Sequence, residues 1–366
     1  MARNKVQRTP AETLFKKELK ALSKVDDGPK PANWNLSPAS VVDYIMGTEL
    51  EDGTKISPKY IGNRSLIELA VATLTTERAL LLSGIPGTAK TWVSEHLAAA
   101  ISGTSRLLVQ GTAGTHEDKL LYAWNYPILL AKGPVREALV PSPVMRAMEA
   151  GKIIRIEEMT RMPFEIQDAL ITILSERSLP IPELNEEVFA AEGFNLIATA
   201  NDKDKGIHEM SGALKRRFNN VILPLPESIE EELKIVTNRL SPKLLKASGK
   251  KPNKQSLEEI KKVITIFKEL REGKTVDGQT ALKKVTSTLS TAEIISVVDN
   301  ALAMGTYFDD GTIKPRFLAS GLEGAIVKNK DSDMNPWKEY IEIVLKKRED
   351  WSDFYKQLSK TKKTEE

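Results

Sequence analysis

The sequence contains no cysteine. Disulfides, thiolate-held zinc, iron–sulfur clusters and thiol nucleophiles are thereby excluded. Only three histidines occur, His96, His116 and His208, and they are scattered without the spacing of metal ligands. No run of about 18 apolar residues is present, so no helix is expected to span a membrane. The opening residues Met1-Ala-Arg-Asn-Lys lack the apolar core of a signal peptide, and a cytoplasmic location is the expectation. A strong excess of either charge is missing too. The 53 basic and 50 acidic residues leave a formal net charge of +3. That balance argues against nucleic acid or a membrane surface as a partner and leaves room only for local patches.

What is there is the composition of an ordinary globular protein, 28% charged and 41% apolar over 366 residues. The length suits two or three domains. One stretch organises the rest: Gly84-Ile85-Pro86-Gly87-Thr88-Ala89-Lys90-Thr91. The apolar run Ala79 to Leu82 leads into it and a helical pattern, Thr91 to Ala100, leads out. Strand, glycine turn, lysine, hydroxyl and helix form the order that a phosphate-cradling loop requires. Glycines let successive backbone N–H groups face an anion, and the helix adds its positive end. Lys90 is placed to reach the β and γ phosphates, and Thr91 to hold Mg²⁺. The nucleotide-binding set is therefore Gly84 to Thr91 with the adjoining Trp92. Ala89 stands where the usual pattern has its second glycine, which matters only if that residue needs a positive φ.

Four regions follow from the pattern. Residues 1–57 read as an N-terminal helical extension, with Leu14, Phe15, Leu19 and Leu22 close to one helical face. Ser37-Pro38 opens a short helix with a capping residue and a first-turn proline. Residues 58–226 read as an α/β domain, a parallel sheet flanked by helices. Its expected strands are Ala79–Ser83, Arg106–Gln110, Ile153–Ile156, Phe194–Thr199 and Val221–Leu223. Between them lie an irregular stretch over 112–150, with Tyr122, Trp124 and Tyr126 at period two, and an acidic hairpin or loop over Ser178–Gly193. A short helix is expected over Met210–Arg217. Residues 227–330 read as an α-helical lid with helices over Ile229–Leu240, Leu257–Arg271 and Thr291–Met304, joined by polar connectors such as 242–254. Residues 331–366 read as a charged C-terminal helix whose last residues, from Lys360, fray.

The chemistry gathers around the loop. Glu157 and Glu158 follow the third strand, at the end where open α/β sheets bind ligands. One carboxylate there can hold Mg²⁺ or its water while its neighbour activates the attacking water. The alternative is that the pair caps the next helix. Asn201, after the fourth strand, can orient that water. Arg216 and Arg217 follow a short helix and can reach a phosphate in a neighbouring subunit.

On these residues the chain resembles the AAA+ ATPases, and within them the MoxR-type group with an insert in helix two. The resemblance covers about 58–305. It rests on Gly84–Thr91, Ile153-Ile-Arg-Ile-Glu-Glu-Met-Thr-Arg161, Ala198-Thr-Ala-Asn201, Leu214-Lys-Arg-Arg217-Phe and Gly133-Pro134-Val135. It implies that Glu158 is the catalytic glutamate, Asn201 the first sensor and Arg217 the arginine finger, with Lys90 on phosphate and Thr91 and Glu157 on Mg²⁺. It also implies ATP and Mg²⁺ as cofactors, a ring of identical subunits, usually six, and chaperone-like remodelling of a client protein, often one with a von Willebrand factor A domain. Four departures stand out. Glu157 replaces the group's aspartate. Arg155 interrupts an apolar strand and must find a partner or reach an edge. Arg216 takes the place of an acid, leaving Arg216 or Arg217 as the finger. The second-sensor arginine is absent near Ala292, with Arg316 as the other candidate. A nucleotide-gated scaffold with little turnover and a nucleic-acid motor are the other readings.

Overall fold

The computed structural model describes residues 7–201 and 208–362, the side chains of 360–362 excepted. The chain divides into two compact units, Met1–Ile85 with Ala89–Pro224, and Leu225–Glu366 with Pro86–Thr88.

The first unit is built on five strands: β1 (Ala79–Ser83), β2 (Leu108–Gln110), β3 (Ile153–Glu157), β4 (Asn195–Thr199) and β5 (Phe218–Ile222). They are all parallel, in the order β5-β1-β4-β3-β2. β1, β3 and β4 are buried at every position, which is why the sequence shows them as nearly continuous apolar runs. Ala198 pairs with Ile156 and Thr199 with Leu82. That register sets Thr199 level with Glu157 at the carboxyl ends of the strands. β5 starts at Phe218, earlier than the run Val221–Leu223 foretells, and shortens the preceding helix to Gly212–Lys215. As an edge strand it buries only Phe218 and Val221, so Asn219 and Asn220 fit it but hide it from an apolar search.

Helices α1 (Lys16–Val25), α2 (Pro38–Met46), α3 (Arg64–Leu74) and α4 (Lys90–Ser102) share a core with the face of β1 that carries Leu80 and Leu82. Ser37 caps α2 by accepting from the Ser40 N–H at 3.3 Å, with Pro38 in the first turn. Leu22, Val41, Tyr44 and Ile45 share one core with Ile67, Leu80, Leu82 and Leu97, so the N-terminal extension packs against the sheet's own elements. The stretch after β2 folds as an antiparallel hairpin, Tyr122–Trp124 with Leu139–Pro141. Tyr126 opens a short helix, Tyr126–Lys132, rather than continuing the strand. α5 (Pro143–Ala150) ends at Gly151, which takes a left-handed φ of 61°. α6 (Phe164–Ser175) follows β3, and Ser178–Ile181 pairs with Glu186–Phe189 in the acidic hairpin.

The second unit is helical: α7 (Ile229–Arg239), α8 (Pro242–Ser248), α9 (Lys254–Glu272), α10 (Thr291–Phe308), α11 (Pro315–Ile326), α12 (Lys330–Ile343) and α13 (Ser352–Lys362). α8 lies where a polar connector is expected. Ser241 and Pro242 start it, and Leu244 and Leu245 supply enough apolar surface to hold it on the core. Ser290 and Glu293 cap α10 reciprocally. The sequence reading separates 331–366, yet Trp337, Tyr340, Phe354 and Leu358 are buried in one core with Ile260, Phe267 and Leu318. α13 runs to Lys362, and the final residues expected to fray lie outside the described ones. Two buried acids tie these helices. Glu232 receives both Arg271 Nη atoms, at 3.2 and 2.8 Å, and the Thr291 hydroxyl at 2.7 Å. Glu269 receives both Arg348 Nη atoms, at 3.2 and 2.6 Å, with the Tyr340 hydroxyl and the Val276 N–H. Burial beside Glu269 pushes the Tyr340 phenol well above its ordinary pKa.

Candidate nucleotide site at the carboxyl ends of the strands

β1 ends at Ser83 and the chain turns through Gly84 and Gly87, with φ of 136° and 81°. Ala89 closes the turn at φ 66°, ψ 17°, as the residue before α4. This residue does need a positive φ, so the missing glycine has a consequence: a side chain in the left-handed region costs about 1 kcal/mol. α4 starts with no side-chain cap and no acid in its first turn. Its leading N–H groups and positive end are left to the loop, the arrangement that favours an anion. Lys90 is buried, and its Nζ donates to the carbonyls of Gly84 and Ile85 at 2.8 and 2.7 Å. Trp92 turns the other way. Its Nε1 donates to the Lys59 carbonyl at 3.0 Å, and its ring meets His96 and Phe15 edge-on. Lys59, buried between the Phe15 and Tyr44 rings and bonded to Glu18, completes that cluster. Desolvation lowers its pKa.

Glu157, the last residue of β3, is 2% exposed. Both its oxygens are occupied. Oε2 accepts from the Thr91 hydroxyl at 2.8 Å and the Thr199 hydroxyl at 2.7 Å. Oε1 accepts from the Ser94 hydroxyl and from Arg155 Nη2, the latter at 2.7 Å. Arg155 has thus found its partner two residues along the same strand, on the same face. Its remaining donors go to Ser94 Oγ, the Ser105 carbonyl and the Thr91 carbonyl, at 3.1, 3.0 and 3.2 Å.

Glu158 differs from its neighbour. It is the residue before a short 3-10 turn and has a left-handed φ of 52°, a strained state for a glutamate. Its N–H donates to Thr199 Oγ1 at 3.0 Å, and its half-exposed carboxylate pairs with Arg161 at 2.8 Å. Thr199 therefore bridges the two acids. Sequence reasoning missed it, along with Ser94. Its hydroxyl at the end of a buried apolar strand, two residues before Asn201, was the available signal.

Asn201 follows β4 and is half-buried. Arg217 is held by its own subunit, donating from Nε to Ser175 Oγ at 2.9 Å and from Nη1 to the Ala213 carbonyl at 2.7 Å. Arg216 is exposed. Arg316, on α11, is paired with Asp309 and stacked over Phe317. In the insert, Tyr122 donates to Glu183 at 2.7 Å, and burial with that bond pushes its pKa up to about 12. Tyr122 and Trp124 pack on the core, whereas Tyr126 and Leu130 are 70% and 87% exposed. Among the described residues, no group of three or more histidine, aspartate or glutamate side chains could hold a metal by itself. A divalent ion that arrives on nucleotide phosphates needs only one or two protein ligands, and the Thr91 hydroxyl, with its proton directed to Glu157, fits that demand. Among the described residues, no helix is long and apolar enough to cross a membrane.

Residues 79–218 match the family model described as an AAA domain of the dynein-related subfamily. Residues 230–365 match the model of the YehL-like AAA+ ATPase C-terminal domain. YehL of Escherichia coli is 38% identical over 358 residues, covering 96% of this chain and 97% of that protein. A Staphylococcus haemolyticus protein is 31% identical over 165 residues, which is 44% of this chain and 62% of its own length. Among solved structures, NtrX from Brucella abortus in complex with ADP gives a TM-score of 0.47 at 14% identity, over 83% of this chain and 66% of that one.

Proposed function

The chain belongs to the YehL-like AAA+ ATPases, of MoxR type, and from that premise we propose that it hydrolyses ATP with Mg²⁺ in a ring of identical subunits to remodel a partner protein. One observation carries the reading. The loop lysine, the Thr91 hydroxyl and the two acids Glu157 and Glu158 meet at one end of the sheet, with Thr199 joining the acids. Lys90 and the loop amides hold the phosphates. Thr91, backed by Glu157, holds Mg²⁺, which when bound neutralises phosphate charge. Glu158, the more exposed acid, accepts a proton from the attacking water once it leaves Arg161. Asn201 orients that water. Arg216 or Arg217 reaches the phosphates of the next subunit. Arg216 needs only its exposure for this, whereas Arg217 must first give up Ser175 and Ala213. The exposed Tyr126 and Leu130 of the insert offer a contact for a client, in this reading a protein with a von Willebrand factor A domain.

The scaffold reading has its own support, the pairing of Glu157 with Arg155 and of Glu158 with Arg161. A nucleic-acid motor has none, given the net charge of +3. The test is phosphate release from Mg²⁺-ATP across protein concentration, with native mass recorded at each point. The proposal expects turnover per subunit to rise as rings assemble. Assembly on ATP with no phosphate release favours the scaffold. Absence of both binding and assembly overturns the loop assignment.

A further inference from the structure

Arg155 lies on a central strand where every other side chain is buried and apolar or belongs to the site. A buried cation in such a place is usually a poor source of stability, because desolvation offsets the attraction it gains. The geometry around it has a narrower purpose. Arg155 and Glu157 share a face of β3, and that face meets the first turns of α4. The guanidinium grips α4 at the Thr91 carbonyl and Ser94 hydroxyl and holds Glu157 Oε1 at 2.7 Å. Glu157 Oε2 then accepts the Thr91 hydroxyl, leaving the lone pairs of that hydroxyl turned away from the acid. An aspartate at this position would end about 1.5 Å short, one carbon–carbon bond away from that contact. The longer acid and the strand arginine, two separate departures from the resembled pattern, therefore complete each other.

We infer that Arg155 is a positioning residue of the nucleotide site: it fixes Glu157 as a charge-compensated support for Thr91, so that nucleotide binding depends less on Mg²⁺ than an uncompensated acid would make it. The inference rests on the loop being the nucleotide site. An uncompensated carboxylate attracts a divalent ion and repels phosphate when the ion is absent. Arg155 cancels both effects.

The experiment is equilibrium binding of a fluorescent ADP to the full chain, in Mg²⁺ and in EDTA, with unfolding temperature measured alongside. The readout is the dissociation constant in EDTA divided by that in Mg²⁺. Arg155→Met strands a buried carboxylate and risks unfolding. The pair Arg155→Val with Glu157→Asp removes the cation and shortens the acid together, and because it too strands an acid, Arg155→Lys serves as the variant that keeps the charge. The double variant is expected to raise the ratio about tenfold or more above wild type. Arg155→Lys loses the spread of guanidinium contacts but keeps the charge beside Glu157, and its ratio is expected to stay within about threefold of wild type. A folded double variant with the wild-type ratio overturns the inference, as does an Arg155→Lys ratio shifted as far as the double variant's. If wild type binds ADP in neither buffer, the loop reading itself falls and the inference falls with it. A purely structural arginine would lower the unfolding temperature and leave the ratio alone.

Discussion

Both units bury arginine–carboxylate pairs, and they use them differently. In the helical unit the contacts are forks, two nitrogens on two oxygens, from Arg271 to Glu232 and from Arg348 to Glu269. The remaining acceptor capacity goes to helix and loop groups, Thr291, Tyr340 and the Val276 N–H. Each of these bonds ties one helix of the unit to another helix or to a loop. In the α/β unit Arg155 meets Glu157 through a single nitrogen and a single oxygen. The second oxygen is given to Thr91 and Thr199, residues at the edge of the phosphate loop and the strand ends. The ionic chemistry is the same. A fork closes the acid off, and a single contact leaves half of it in service of a site.

Arg348→Ala leaves Glu269 buried without its counter-charge, and the expected loss is about 3–5 kcal/mol, read from the urea midpoint. Nucleotide affinity of the folded protein should not change. A matching loss of affinity would mean that the helical pair also serves the site. A smaller effect sharpens the other side. Ala89→Gly relieves a left-handed alanine and is expected to add up to about 1 kcal/mol of stability, the entropy of an unfolded glycine taking back part of the gain. A clear loss in thermal unfolding would show that the loop is not strained there.

Much of this arrangement is legible in the sequence because it is local. Continuous apolar runs mark β1, β3 and β4, and the spacing of Gly84, Gly87, Lys90 and Thr91 marks the turn into α4. The acids follow because Glu157 and Glu158 end a strand of the same kind. The edge strand Phe218–Ile222 and the helix Pro242–Ser248 are less legible, since each buries too little to leave a clear apolar pattern. The partners of Glu157 are harder still. Thr91 and Ser94 come from α4 and Thr199 from β4, and only the sheet order brings them together. Arg155 is the exception. Two residues from Glu157 on one strand, it shares a face with that acid, so alternation offered the pairing that the sequence reading left open. The strain at Ala89 was signalled by the glycine it replaces, whereas that at Glu158 left no sign, because it is set by the turn that follows rather than by composition.

The proposed chemistry gives two adjacent acids separate tasks, Glu157 holding Thr91 and Glu158 taking the proton after parting from Arg161. The most direct test compares wild type with Glu158→Gln for Mg²⁺-ATP binding and for phosphate release, on the same assembled protein. The account predicts ATP affinity close to wild type and phosphate release reduced by about 100-fold or more, the usual scale for losing a general base. Unchanged phosphate release in Glu158→Gln would contradict it and remove Glu158 from the chemistry.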